Sequence, residues 1–583
     1  MKKLFLCMFL LAALGLFVAC GSGDDNGDTG TGPETTETAQ NDGAGADTPA
    51  ATPAPDGTGF EGVNWDENVT FTWFIPATPA NDYYTSYNEN PVIRYLEYRF
   101  NVTFDFQQAP VGTEADHMSL MMGAGRHTDA MHLGHYLGNI AQLYEDGVII
   151  DIAQWLDYMP NFRNLLETNR DFARRAFNDD GRIFQLITIR DEPNFPFSGL
   201  VYRHDILETM TDGNVQFPSG NDVPTTLADW EYMLPLFLEY FQMTGRADYA
   251  PLILPPEGMI HFGALMNTFG AHSHLFSRDG VIYNGLLEPE FLIYLNTMID
   301  WFERGWIHQD FVTRVGDMFF MPNPPLVFGG GAGVWYGMSM HLGDRMSMPE
   351  HGMNFDVRPI PSPISPGVTH QDMLRRREDE FGMGRHSAVS STNPDIGRFL
   401  ATMDFLYSEE GAKLVMLGVN AEQIAPHDTV MARMGMSEGA WWFDEAGNIV
   451  RHHYIDMMGG HIGAGAINGI RLPGFFIQSI ENAGREAEMV VAHAAWTAHC
   501  AASEVRTLPE QLTLTTAEAA IVNANDARLT DLTQQVIPMF IMGARPLNDE
   551  TWAEFIDQLH ELGMAENVAI WQAAYERFLV RGQ

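Results

Sequence analysis

Between Val69 and His135 the period of the apolar positions changes from segment to segment. VTFTWFIP, residues 69–76, is a β-branched and aromatic run stopped by proline, which predicts a strand. PVIRYLEYRF then carries its apolar residues at helical spacing, and NVTFDFQQ alternates like a second strand. A helix with small residues is predicted next, and TDAMHLGH reads as a buried strand with its exit loop. The order strand, helix, strand, helix, strand predicts an α/β sheet, and ligands of such sheets gather at the carboxyl ends of the strands. The loops after Phe74 and Met131 are therefore candidate pocket walls.

The start of the chain has a different pattern. Lys2 and Lys3 precede an apolar run, Leu4 to Val18, that has the form of a secretory leader and is short for a membrane span. From Gly21 to about Gly62 the chain is Gly, Asp, Thr, Pro, Ala and Glu with almost no large apolar residue, a composition expected to stay disordered. A flexible coil of about 42 residues would reach on the order of 35 Å. Ala19 before Cys20, with Val18 and Phe17 upstream, resembles a bacterial lipobox, although Phe17 stands where leucine is usual. The resemblance implies cleavage before Cys20 and a diacylglycerol on its thiol, so that lipid chains anchor the protein. The expected division here is a signal peptide at 1–19 and an acylated cysteine with its linker at 20–64. No later run approaches the length of a transmembrane helix.

Composition narrows the function classes. Of three cysteines, Cys7 would leave with the leader and Cys20 would carry lipid, so Cys500 stands alone in the folded part and no intramolecular disulfide is expected there. The formal net charge is −43, with 33 Lys and Arg against 76 Asp and Glu. Such a field repels nucleic acid at long range, and no nucleic-acid partner is expected. After the leader Lys413 is the one remaining lysine, so cationic contacts must come from arginine.

Farther along, the order of segments resembles the extracellular solute-binding protein family 1, in particular its large LipO-like lipoprotein members. DAMHLGHYLGNIAQLYEDGVIIDIAQWLDYMPNF is similar to the family's strand leading into the cleft and the helix that ends in "DG". GRIFQLITIRDEPNFPFSGLVYRHDILETM resembles the first crossing between lobes, and PTTLADWEYMLPLF the helix that follows, with a Thr or Asp cap before an apolar-periodic run. LVFGGGAGVWYGM resembles the strand returning to the first lobe, and NFDVRPIPSP the strand after it. FLATMDFLYSEEGAKLVMLGVNAEQ and the closing FIMGARPLNDETWAEFIDQLHELGMAENVAIWQAAYERFL continue the likeness.

The resemblance implies an α/β, two-lobed periplasmic-binding-protein-like fold of type II, with three interlobe crossovers and extra C-terminal helices, closing on its ligand by hinge motion. Lobe one is expected at 65–195 plus 325–415, lobe two at 200–320 plus 420–540, and bracing helices at 541–583. It also implies a monomeric binding subunit, without a chemical step or cofactor, that delivers an oligosaccharide or other small polar ligand to ABC permease subunits from the extracytoplasmic face of the cell membrane. A peptide ligand, a lipid-anchored glycan-degrading enzyme and a surface receptor are the alternatives.

Sugar sites pair aromatic planes with side-chain donors and acceptors. By place, Trp73 and its following loop with Asn81, Asp82, Tyr83 and Tyr84 resemble the Trp-bearing first loop of maltose-binding proteins, with a core role for Trp73 the alternative. His132, His135 and Tyr136 occupy the next strand exit. Trp335 and Tyr336 follow the GGGAGV strand, where maltose-binding proteins bear a stacking tryptophan. The substrate-binding set is thus Trp73, His132, Tyr136, Trp335 and Tyr336, with Phe262, Asn267 and His272 as weaker candidates. Arg203 and Asp205 are expected to fix a crossover, and Trp441 and Trp442, beside a hairpin, are expected in the core, with contact to ligand or transporter the alternative. Paired histidines at 132/135, 272/274 and 452/453 lack converging further ligands, and no metal site is expected. HELGM lacks the second histidine of HExxH, and no G-x-S-x-G elbow occurs.

Overall fold

The computed structural model describes residues 63–76, 86–110, 113–136, 138–191, 198–253, 265–313, 326–327, 329–338, 355–374, 386–426, 428–452, 472–477, 479–480, 487–500, 502–509 and 512–581. The leader, Cys20 and nearly all of the linker lie outside them, as do Asn81 to Tyr84, Phe262 and His453.

In the first pass, β1 (Val69–Ile75), β2 (Val102–Gln108) and β3 (Ala130–His132) are parallel, with β1 in the middle. α1 (Pro91–Phe100) links β1 to β2, and α2 (Glu114–Gly123) links β2 to β3. α1 begins where Asn90 accepts from the N–H groups of Val92 and Ile93 with proline at the first helical position. It stops at Asn101, whose φ of 48° is a left-handed conformation that asparagine tolerates. α3 (Ile140–Glu145), α4 (Pro160–Thr168) and α5 (Arg170–Ala176) follow, and the pass ends with β4 (Ile189–Arg190).

A second sheet then forms. β5 (Ser198–Arg203) starts it, followed by α6 (His204–Met210), α7 (Leu227–Met243) and β6 (Ala250–Leu252). The start of α7 is a capping box in which Thr226 accepts from the N–H of Asp229 while the Asp229 carboxylate takes that of Thr226. A hairpin of β7 (Leu275–Arg278) and β8 (Val281–Asn284) leads to α8 (Pro289–Glu303), β9 (Ala332–Met338) and β10 (Val357–Pro359). The sheet order is β10-β5-β9-β6.

The chain returns at β11 (Ser387–Val389), antiparallel to β3 at the edge of the first sheet, and continues through α9 (Ile396–Asp404) and α10 (Glu409–Leu417). The hairpin β12 (Trp441–Phe443) with β13 (Ile449–Arg451) precedes β14 (Phe475–Phe476), which lies parallel to β4. α11 (Ala487–Trp496) and β15 (Arg506–Thr507) belong with the second sheet's side, and the chain closes with α12 (Thr516–Ile541), α13 (Asp549–Glu561) and α14 (Met564–Val580).

Two large cores result. Phe71, Trp73, Phe104, Phe399, Leu414, Trp441 and Phe476 share the first; Trp230, Trp301, Tyr336, Phe540 and Phe555 share the second. Each such ring, fully buried, contributes on the order of 2–3 kcal/mol of transfer free energy. A smaller cluster of Val201, Trp335, Val357 and Trp496 covers the opposite face of the second sheet. The chain therefore passes between lobes three times: from β4 to β5, from β10 to β11, and from β14 to α11.

Two expected boundaries differ from this arrangement. β9 and β10, both within the stretch assigned to lobe one from sequence, lie in the second sheet, because β9 pairs with β5 from Ser198↔Met338 to Tyr202↔Val334 and β10 pairs with β5 on its other side. The described residues from 428 to 452 and from 472 to 480, within the stretch assigned to lobe two, return to the first core through Met431, Trp441 and Phe476. In both cases the local pattern gives the element but not the sheet it joins. Among the described residues no helix is long and apolar enough to cross a membrane.

Candidate functional site

β3 ends at His132, and the carboxyl edge of the first sheet is where the chain turns outward. The His132 Nδ1 accepts from the Gly134 N–H at 3.3 Å, starting a single 3-10 turn, Leu133–His135, that closes when the N–H of Tyr136 donates to the carbonyl of Leu133 at 3.0 Å. The imidazole folds so closely over Gly134 that a Cβ there would lie 2.6 Å from its Cε1. The N–H of Leu133 donates to the carbonyl of His386 at 3.2 Å, just where the second crossover rejoins the sheet and Ser387 pairs with His132. On the same edge the Gln108 amide donates to the carbonyl of Pro76 at 3.1 Å.

Desolvation lowers the His386 imidazole to about 4, so it is neutral near pH 7. Burial, and then the nearby Asp146 carboxylate, raise the Tyr136 phenol, so its hydroxyl stays protonated. His135 and Tyr136 are half-buried, while His132 is 2% exposed. Farther along the loop, Asn139 caps α3 by accepting from the Ala141 N–H at 2.9 Å and gives its amide to the Thr516 hydroxyl at 3.0 Å.

The facing edge comes from the second sheet. β6 and β9 are parallel and β5 antiparallel to β9, so the carboxyl end of β9, Met338, lies beside Ser198, the first residue of β5, while β6 ends earlier with Leu252 opposite Val334. The carboxyl ends of strands are where ligands of open α/β sheets bind.

The aromatic candidates sit elsewhere. Trp73 has no exposed surface; its ring stacks on Phe106 at 5.7 Å and meets Phe399 edge-on at 5.5 Å, which is the core alternative. Trp335 and Tyr336, expected after a strand, lie within β9, each 1% exposed and on opposite faces of the sheet. The strand runs on to Met338 because pairing with β5 continues to Ser198. Asn267 donates to the Ser362 hydroxyl at 3.1 Å. His272 packs against Phe276 at 4.4 Å, and burial, then Arg278, push its imidazole down to about 3.

Arg203 clasps Asp205 with two hydrogen bonds, 2.7 and 2.5 Å, and Asp205 also accepts from the Asp356 N–H, which fixes the start of α6 to the strand beside it. In the hairpin, Trp441 is in the core as expected, its indole N–H donating to Gly418 at 3.0 Å, whereas Trp442 is 43% exposed and not in the core, since neighbouring residues of a strand point to opposite faces. His132 and His135 have ring centroids 6.3 Å apart, and among the described residues no three His, Cys, Asp or Glu side chains gather as metal ligands would. Gln108, His386 and Asn139 were not singled out from sequence. The contacts that place them reach Pro76, Leu133 and Thr516, and no local motif records these.

Three solved structures share this architecture. An HMO-binding, ABC-transporter-associated solute-binding protein of Bifidobacterium longum infantis superposes with a TM-score of 0.66 at 18% identity, covering 88% of this chain and 99% of its own. The S. pneumoniae ABC-transporter substrate-binding protein FusA in complex with kestose gives 0.63 at 16% identity over 88% and 99%. Alginate-binding protein AlgQ2, without calcium ion, gives 0.62 at 17% identity over 88% and 98%. No protein-family model matches the sequence, and no curated protein matches it. The fold is the two-lobed one of extracellular solute-binding proteins.

Proposed function

We propose that this protein is the lipid-anchored, extracytoplasmic solute-binding subunit of an ABC importer, of the LipO-like kind, and that it captures an oligosaccharide. The observation that carries this reading is the likeness over 88% of the chain to binding proteins described with HMO, kestose and alginate. The neutral His386 imidazole and Tyr136 phenol beside the β3 exit suit it, since hydroxyl-rich ligands need donors and acceptors without net charge. Ligand bound between the lobes biases an open–closed equilibrium, and the closed form is the one presented to the permease. No covalent chemistry is involved, and the protein acts as a monomer held to the membrane through acylated Cys20.

Within the site, His132 and Tyr136 contact the ligand, with His135 beside them. Trp73, Trp335 and Tyr336 act through packing, holding the strands whose ends carry the loops. The test is a thermal-shift screen of the purified protein against neutral and acidic oligosaccharides, peptides and divalent ions. A ligand that binds the folded state raises the midpoint by mass action. A shift from one glycan class, without glycan cleavage and reduced by Tyr136→Phe or His132→Ala, is the expected result. A shift from peptides alone, or cleavage of a glycan, would overturn the reading. Labelling with radioactive palmitate, lost in Cys20→Ala, tests the anchor.

A further inference from the structure

α14 is seated on the second lobe and reaches the first. Its Gln572 accepts from the Ile282 N–H at 2.8 Å and donates to the Gly280 carbonyl at 3.2 Å, fastening the helix to the β7–β8 hairpin. Met564, at its start, is part of the second core. Its last turns meet Asp179, in the tight turn after α5, whose neighbours Phe172, Ala176 and Ile183 belong to the first core. Asp179 accepts from the Nε of Arg577 at 3.0 Å, from the Nε of Arg581 at 2.5 Å and from the Thr513 hydroxyl at 3.2 Å. Arg577 also clamps Glu518, near the start of α12, with two hydrogen bonds of 3.0 and 2.7 Å. A second tie joins the lobes where Asn139 donates to Thr516.

Where the chain leaves the first lobe, the two strands that lead into crossovers are held to each other only briefly. β4 and β14 pair over two residues each, and the amides of Ile189 and Asp191 donate to the carbonyls of Gly474 and Phe476. A pair this short is weak by itself. Charge-assisted, forked arginine bonds are the stronger kind, and Arg581 is only 4% exposed, which shields its pair from salt.

We propose that α14 is a strap between the lobes, and that the clasp of Asp179 with Arg577 and Arg581 restricts their relative motion. This deepens the proposed function and rests on it only in that the motion is read as the one that closes on ligand. The strap makes the C-terminal helices part of the hinge and sets how readily the crossover pairing opens.

The experiment is hydrogen–deuterium exchange of the full chain without ligand, comparing wild type with Asp179→Ala and with Arg577→Gln. Both variants are expected to speed exchange about tenfold in peptides spanning 186–191 and 472–477, leaving the sheet cores at 69–75 and 198–203 unchanged. Faster exchange confined to 177–183 and the last turn of α14 would overturn the proposal, since the clasp would then be a local cap. Because no ligand is present, this outcome is independent of the glycan screen, and either reading can fail without the other.

Discussion

Asp404 caps a helix through a residue 243 positions before it: its carboxylate accepts from the backbone N–H of Asn161 at 3.2 Å and from the Asn161 side-chain amide at 2.8 Å. A third bond comes from the Phe162 N–H at 2.9 Å. These donors open α4, whose own N-cap residue, Met159, makes no side-chain cap hydrogen bond. The carboxyl is 1% exposed, and burial raises it to about 6 despite the hydrogen bonds, so at neutral pH it is mostly ionised and all three donors are used. Asp404→Ala leaves them facing a cavity and is expected to cost about 2–3 kcal/mol. Urea unfolding measures this; a loss below about 0.5 kcal/mol would show that water replaces the cap.

Arg398 does for the start of the sheet what Asp404 does for α4. Its guanidinium, 1% exposed, donates to the carbonyls of Asn64, Glu67, Phe100 and Asn101, joining the segment before β1 to the end of α1. Arg398→Met keeps bulk and removes the donors, and a loss of about 3 kcal/mol is expected. Arg398→Lys should recover little, because one ammonium cannot reach four carbonyls held in a fork. Equal denaturation midpoints for lysine and arginine would contradict this account.

Elements whose cause lies within a few residues were legible. β1, α1 and β2 follow from alternation, proline and helical spacing, and the Thr226–Asp229 box is a local motif. The strand exit bearing His132 and Tyr136 was legible for the same reason. The sheet that β9 joins was not, because Val334, Trp335 and Tyr336 are buried on both faces, and a run apolar on both sides carries no facing information. Trp73 shows the same limit, since an aromatic near a strand end looks alike whether it faces a crevice or a core. Asp179, Asp404 and Arg398 act across hundreds of residues, where a single sequence has no periodicity to show.

Acid should destabilise the folded protein through its buried histidines. Burial, then Arg278, lower His272 to about 3, and burial, then His370, lower His499 to about 4. Below the ordinary value of 6.5 the unfolded chain takes up protons that these folded imidazoles refuse, so stability is present above that pH and is lost as pH falls. At pH 5 relative to pH 8 each costs about 2 kcal/mol. Asp404 works oppositely: its raised value means its contribution is largest in acid and is lost as pH rises through about 6. It recovers about 1 kcal/mol at pH 5, less than the two histidines lose together. Melting midpoints at the two pH values measure the net effect. His272→Leu should reduce the pH-dependent part by about 2 kcal/mol, and an unchanged difference would mean that the ring is charged or hydrated in the fold.

Gly134 offers a test of the proposed binding loop that moves a ligand-contacting side chain without changing its chemistry. A methyl group there would overlap the His132 ring, 2.6 Å from its Cε1, and the ring is the part able to move. Gly134→Ala should therefore swing the imidazole away from its seat and break the 3.3 Å bond that begins the turn. The sheet behind it keeps its pairing with Ser387. If His132 contacts the glycan, affinity should fall about tenfold, roughly one charge-neutral hydrogen bond, with the melting midpoint shifted by only about 2 °C. The decisive comparison is made in a His132→Ala background. There the displaced ring no longer exists, and Gly134→Ala should change affinity by less than about twofold. A full tenfold loss in that background would assign the effect to the backbone turn or to Tyr136, and His132 would leave the site.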